Sequence, residues 1–200
     1  MTDSNGAYAS SNHHKYTRGG PIYQWHLQRF MQRMYEMLME AEPKRVLDAG
    51  CGEGFATQYL AQQNPDLHLT GVDLSEEAVA YANEHFGAYA QFRQGSVYKL
   101  PFSDNAFDVV LCSEVLEHLD EPDRAVAELK RVARSHVLIT VPREPYFKWL
   151  NDLGRLMRIS PDPGHVNFWT QTSFPAFVGE YFDQVEYDWV HIYQLALAEV

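Results

Sequence analysis

The chain reads as an α/β protein: a doubly wound, mostly parallel seven-stranded sheet with one antiparallel C-terminal strand. Three observations predict it. Short apolar runs alternate with helical stretches from Arg45 onward. Glycines at 50, 52 and 54 make a sharp turn directly after the first run. The last two apolar runs have too few residues between them for a crossover helix, so that pair is antiparallel.

Each element follows from local chemistry. Residues 1–20 are rich in Ser, Asn, His, Gly and Tyr and lack apolar periodicity, which predicts a flexible segment. Pro21 opens a helix, Leu27, Phe30, Met31, Met34 and Leu38 recur at three- and four-residue steps, and Pro43 stops the pattern. This gives an N-terminal segment and cap helix over residues 1–43 and a single domain over 44–200. Val46–Ala49 is the first strand, and Phe55–Gln63 a helix ended by Asn64-Pro65. Leu67–Leu74 is the second strand. Ser75 then caps a helix, with Glu76 and Glu77 favourably placed in its first turn. Gln91–Gly95 and Phe107–Ser113 are strands three and four. Pro122–Ala133 is a helix with Val126, Leu129 and Val132 on one side, and His136–Val141 is the fifth strand. Phe174–Phe182 reads as a helix, followed by strands Gln184–Val190 and Gln194–Val200.

Composition restricts function. Of 200 residues 46% are hydrophobic, enough for one full core, and the formal net charge of −11 opposes a surface built to neutralise phosphates. No nucleic-acid partner is expected. There is no charged-then-apolar leader and no apolar run of about 18 residues, so no membrane partner is expected either. Cys51 and Cys112 are too far apart for a paired ligand motif and sit beside strand ends, which fits a reducing, cytoplasmic setting. His13 and His14 adjoin each other without partner acids, and no metal site is expected.

The glycine turn brings backbone amides close to a ligand, because glycine has no Cβ and tolerates unusual φ. Asp73 ends the second strand nineteen residues beyond Gly54, where an acid accepts hydrogen bonds from both hydroxyls of a ribose or, alternatively, caps a helix. A nicotinamide-binding unit calls for G-x-G-x-x-G. Here the spacing is G-x-G-x-G, and Phe55 takes the last position.

The run Val46-Leu47-Asp48-Ala49-Gly50-Cys51-Gly52-Glu53-Gly54, then Gly71-Val72-Asp73-Leu74-Ser75, then Leu100-Pro101-Phe102 with Phe107-Asp108-Val109-Val110, resembles the class I S-adenosylmethionine-dependent methyltransferases. Ser113-Glu114-Val115-Leu116-Glu117-His118-Leu119 is similar to the small "type 11" branch of that family. The resemblance covers roughly residues 44–142. It implies a Rossmann-like methyltransferase fold that binds S-adenosylmethionine, with Asp48 near the methionine amino group and Gly50, Cys51, Gly52 and Gly54 packed along the cofactor. It further implies Asp73 on the ribose, Leu74 against the adenine, and Ser96 and Val97 at the adenine edge. Ser96 stands where the family usually has an acid, a weaker partner for the exocyclic amine. Cys112 and Glu114 end strand four and face the methionine end and reaction zone, with Glu114 a catalytic candidate.

Residues 143–170 form a lid insertion. Pro142, Pro145, Pro161 and Pro163 bracket a helical stretch whose Tyr146, Trp149, Leu150, Leu153, Leu156 and Met157 make an apolar stripe. Phe168 and Trp169 follow. Over residues 143–158, Arg143, Lys148, Arg155 and Arg158 outnumber Glu144 and Asp152. Two readings stand: a lid with a solvated basic face, or an aromatic-walled pocket in which Arg143, Tyr146, Trp149 and Trp169 meet an anionic acceptor. His165 is the general-base candidate, since this fold places substrate contacts after strand five; the alternative is a loop histidine bonded to backbone. His118 either belongs to a packed turn or touches substrate. The expected function is methyl transfer from S-adenosylmethionine to oxygen, nitrogen or carbon of a small molecule. The alternatives are a non-catalytic S-adenosylmethionine-binding protein and an NAD-dependent oxidoreductase.

Overall fold

A computed structural model describes residues 20–144 and 165–200. The flexible segment expected before residue 20, and the lid stripe with Tyr146 and Trp149, lie outside the described residues. Helix α1 (Pro21–Glu40) starts with proline at its first position and buries Leu27, Phe30, Met31, Met34, Met37 and Leu38. Each such side chain contributes about 1.5–3 kcal/mol of burial before the entropy of ordering it is subtracted.

The remaining elements are β1 (Arg45–Ala49), α2 (Phe55–Gln63), β2 (His68–Asp73), α3 (Glu76–Phe86), β3 (Ala90–Gln94) and β4 (Phe107–Ser113). A single 3₁₀ turn (Leu116–His118) leads to α4 (Pro122–Val132) and β5 (Ala133–Pro142). The chain closes with α5 (Ser173–Val178), β6 (Val185–Val190) and β7 (Tyr193–Glu199). The strands form one seven-stranded sheet in the order β3-β2-β1-β4-β5-β7-β6. Strands β1 to β5 pair in parallel, and β7 runs antiparallel to both β5 and β6.

Alternation along β4 shows how the sheet is wound on both faces. Val110 and Cys112 point into the core shared with Leu129 and Val132 of α4 and with Phe174 of α5. Val109 and Leu111 point the opposite way, into the core of Met34 and Leu38 from α1 and Leu60 from α2. A period of two thus supplies two cores from one strand.

Two boundaries differ from expectation by more than one residue. No turn separates α4 from β5: Ala133 caps the helix with extended backbone (φ −78°, ψ 141°), and the strand begins there rather than at His136. Helix α5 ends at Val178 rather than Phe182, because Glu180 and Tyr181 donate to the carbonyls three residues back, a tighter winding than α.

The Leu100–Phe102 segment is held by α4. Arg131 donates to the carbonyls of Leu100 (3.2 Å) and Phe102 (2.9 Å), and Leu100 N–H donates to Glu128 (2.7 Å). The Arg131 hydrogen bond holds the Glu128 carboxyl below its ordinary range.

Connections from β1 and β4 leave in opposite directions along the sheet. Their carboxyl ends therefore open a crevice at the switch point, the place where open α/β sheets bind ligands.

Candidate cofactor and acceptor site

The crevice floor is the turn after β1. Gly50 N–H (2.7 Å) and Cys51 N–H (3.0 Å) donate to the Val72 carbonyl, tying the turn to β2. Gly50 (φ +86°) and Gly54 (φ +83°) hold left-handed backbone. A Cβ on Gly50 would lie 2.4 Å from Val115 Cγ2, and one on Gly54 would lie 2.9 Å from the Phe92 ring. Only glycine meets both constraints. Cys51 packs with Val79, Ala82, Phe86 and Phe92 under α3, so it faces the core side of the turn.

Three acids converge on this turn. Asp48, 1% exposed, ends β1 and accepts the Thr57 hydroxyl at 2.6 Å. Burial pushes its carboxyl up to about 6, the Thr57 bond opposing the shift and the Asp73 charge adding to it. Glu53 is 2% exposed, its Oε1 lacks a hydrogen-bond partner among the described residues, and burial raises its carboxyl as well. Asp73 accepts Gly52 N–H and Ser75 N–H, each at 2.8 Å, on separate oxygens. An ionised carboxylate has about four acceptor positions, so about two remain for ligand hydroxyls.

Beyond Asp73, Leu74 is 71% exposed and presents apolar surface beside the crevice. The Ser75 hydroxyl is committed to the N-terminus of α3 through Ala78 N–H (3.2 Å). Ser96 Oγ already accepts Tyr98 N–H (3.2 Å), leaving one lone pair and its proton. Val97 is part of the α4-side core. A ligand cationic at one end, hydroxylated in the middle and flat at the other matches this series of groups.

The far side is built where β4 ends. Glu114 takes left-handed backbone (φ 58°) and donates its N–H to the Thr140 carbonyl (3.0 Å), which turns the chain off the sheet. Cys112, placed near the cofactor by sequence, is wholly buried, and burial pushes its thiol well up. It packs in the core and supports the strand from beneath.

His118 and His165, read from sequence as separate candidates, come together with ring centroids 4.8 Å apart and nearly perpendicular. Val166 N–H (2.8 Å) and Asn167 N–H (3.0 Å) donate to the Glu117 carbonyl. The Asn167 amide donates to the carbonyls of Leu116 (3.0 Å) and Leu119 (2.6 Å). Trp169 stacks toward Phe177 (4.6 Å between centroids), while its carbonyl accepts from Glu144 N–H (2.8 Å) and the Gln194 amide (3.0 Å). Arg143 is fixed through its backbone N–H to Ile192 (2.7 Å).

Sequence reasoning gave no role to Thr57, Glu53, Glu117 or Asn167. A threonine two residues after Phe55 and an acid inside the glycine run were the only local signals. Asn167 carried none, since its partners lie about fifty residues away.

Residues 47–141 match the family described as a methyltransferase domain. An uncharacterised methyltransferase of Schizosaccharomyces pombe is 40% identical over 100 residues, covering 45% of this chain and 36% of that protein. A ubiquinone biosynthesis O-methyltransferase of Alkalilimnicola ehrlichii is 32% identical over 142 residues, 68% of this chain and 57% of that protein. The chain thus spans between about a third and somewhat over half the length of these relatives. Magnesium protoporphyrin IX methyltransferase from Synechocystis PCC 6803, solved with bound S-adenosylhomocysteine, shares the fold: TM-score 0.67, 18% identity, covering 91% of this chain and 88% of that one. Residues 47–141 thus match a methyltransferase domain, and the chain shares the fold of a solved methyltransferase.

Proposed function

We propose that the chain transfers the methyl group of S-adenosylmethionine to a hydroxyl of a small, anionic organic acceptor. The observation that carries the cofactor part of the reading is the convergence of Asp48, Glu53 and Asp73 on a turn closed to any residue but glycine at positions 50 and 54. Asp48 and Glu53 offer negative charge to the ammonium and sulfonium end. Asp73 offers its remaining acceptor positions to the ribose hydroxyls, Leu74 its apolar surface to the adenine, and Ser96 its hydroxyl to the adenine edge.

The bound cofactor supplies a methyl group already activated by the positive sulfur, so the protein's task is placement. Glu114 and the His118–His165 pair lie on the elements that leave β4 and β5, where an acceptor meets that end of the crevice. A neutral imidazole there takes the hydroxyl proton as the oxygen attacks. Arg143 and Trp169 favour an acceptor with a carboxylate and a flat body. Relatives named for O-methylation in ubiquinone biosynthesis make hydroxyl acceptors the first class to test. A cytoplasmic setting fits the two free, buried cysteines, and no helix among the described residues is long and apolar enough to cross a membrane.

The experiment is a panel of hydroxylated, aminated and carbon-acid acceptors incubated with methyl-labelled cofactor and resolved by mass spectrometry. Label on an oxygen of an acidic acceptor supports the reading. Transfer only to uncharged amines would overturn it. Arg143→Ala should raise KM for the acidic acceptor; an unchanged KM would remove the anionic part.

A further inference from the structure

We propose that Glu117, His118 and His165 form a binding site for one borderline divalent transition-metal ion, of the Zn²⁺, Co²⁺ and Mn²⁺ class. One ligand atom from each of the three residues lies within 4.8 Å of the other two. A metal with bonds of about 2.0–2.2 Å draws its ligand atoms to within about 3.5 Å of one another. The gap is therefore of order 1 Å, within reach of side-chain rotation and without a change of backbone.

The backbone is already committed to this arrangement. Val166 and Asn167 N–H groups both donate to the Glu117 carbonyl, and the Asn167 amide ties the same segment to Leu116 and Leu119. Four hydrogen bonds thus clamp the chain that carries His165 onto the turn that carries Glu117 and His118. That preorganisation removes much of the ordering cost which otherwise opposes a site assembled from residues nearly fifty apart.

The donor set chooses the ion. Two imidazoles and one carboxylate suit zinc, cobalt and manganese, whereas magnesium and calcium prefer all-oxygen surroundings. Glu117 is 1% exposed while His118 is exposed and His165 half-buried, so the site is anchored on its core side and open toward the crevice. Three protein ligands leave at least one position for an outside oxygen, the pattern of a catalytic rather than a structural centre.

This inference rests on the methyl-transfer reading above for its role. With the ion bound, the two imidazoles serve as ligands in place of the base role given above, and an acceptor hydroxyl at the open position has its pKa lowered by the dication and releases its proton to solvent. Its oxygen then forms the new bond to the methyl carbon as the carbon–sulfur bond breaks, and that electron pair returns to sulfur, neutralising the sulfonium.

The test is a Co²⁺ titration of the metal-stripped full chain, followed by visible absorption, with S-adenosylhomocysteine binding measured on the same samples. The expected result is one ion per chain, with His118→Ala, His165→Ala and Glu117→Gln each weakening affinity about tenfold or more. His13→Ala/His14→Ala should leave affinity unchanged, and every variant should still bind S-adenosylhomocysteine, which reports an intact fold. Equal Co²⁺ affinity in wild type and the His118→Ala/His165→Ala double variant would overturn the metal site. So would loss of Co²⁺ binding only in the His13→Ala/His14→Ala variant. Wild type that binds S-adenosylhomocysteine but no Co²⁺ refutes only this inference, whereas failure to bind S-adenosylhomocysteine refutes the cofactor reading itself.

Discussion

Replacing Asp48 with Asn tests whether the crevice stores unfavourable charge for a cationic ligand. Asp48 is buried, and its carboxyl is pushed up to about 6 from an ordinary 3.8, first by burial and then by the Asp73 charge. A group with a raised folded-state pKa favours the fold fully below its unfolded pKa. That contribution is lost as pH rises through the folded value. Integrating between those two values, wild type should lose about 2 kcal/mol of stability from this group between pH 4.5 and 7.5. Asn keeps an acceptor for Thr57 but has nothing to ionise. Its new amide protons add a cost that does not vary with pH, so the informative quantity is the change in the mutant–wild-type difference. Urea unfolding followed by circular dichroism, for both proteins at both pH values, measures it. The stability of Asp48→Asn relative to wild type should rise by about 2 kcal/mol from pH 4.5 to pH 7.5. An unchanged difference would refute the claim that a buried, strained charge waits at this position.

Two further outcomes follow from the same geometry. Because a bound cation favours ionised Asp48, cofactor uptake at pH 6 should release about half a proton, detectable by calorimetry in buffers of different ionisation enthalpy. Uptake without proton release would separate Asp48 from the ligand. Gly50→Ala should destabilise the fold by about 2–5 kcal/mol, from left-handed backbone plus overpacking against Val115. Adding Val115→Ala should restore only the overpacking part; full recovery in urea unfolding would remove the backbone contribution.

Elements with a clear apolar pattern or glycine and proline at their ends were legible residue by residue. Phe55–Gln63 is bounded by Gly54 and by Asn64-Pro65, and the strand Phe107–Ser113 by Ala106 and the left-handed Glu114; both elements stand where expected. The start of β5 was not legible, because a single change of ψ at Ala133 converts helix to strand without any turn residue. The polar Arg134 and Ser135 disguise the strand, yet they stand at its end, where Ser135 donates to the Asp108 carbonyl (2.7 Å).

The candidate site divides in the same way. The acids and glycines around Asp48 and Asp73 are close in sequence or separated by one βαβ unit, so their spacing carries information. The meeting of His118 with His165 depends on hydrogen bonds from Val166 and Asn167 to a carbonyl about fifty residues earlier. Backbone donors have no residue-type signature, and nothing local announces such a contact. Likewise, Asp48 looks like any aspartate in sequence; its raised pKa comes from burial that only the packed sheet creates.

The central claim is that the acid-lined glycine turn holds S-adenosylmethionine. Thermal unfolding with S-adenosylmethionine, S-adenosylhomocysteine and NAD side by side tests it most directly. At a hundredfold excess over Kd, the first two should each stabilise the chain by about 2.7 kcal/mol, with no shift from NAD and none from any of the three after Asp73→Ala. Stabilisation by NAD alone, or a full S-adenosylmethionine shift in the Asp73→Ala variant, would contradict the assignment.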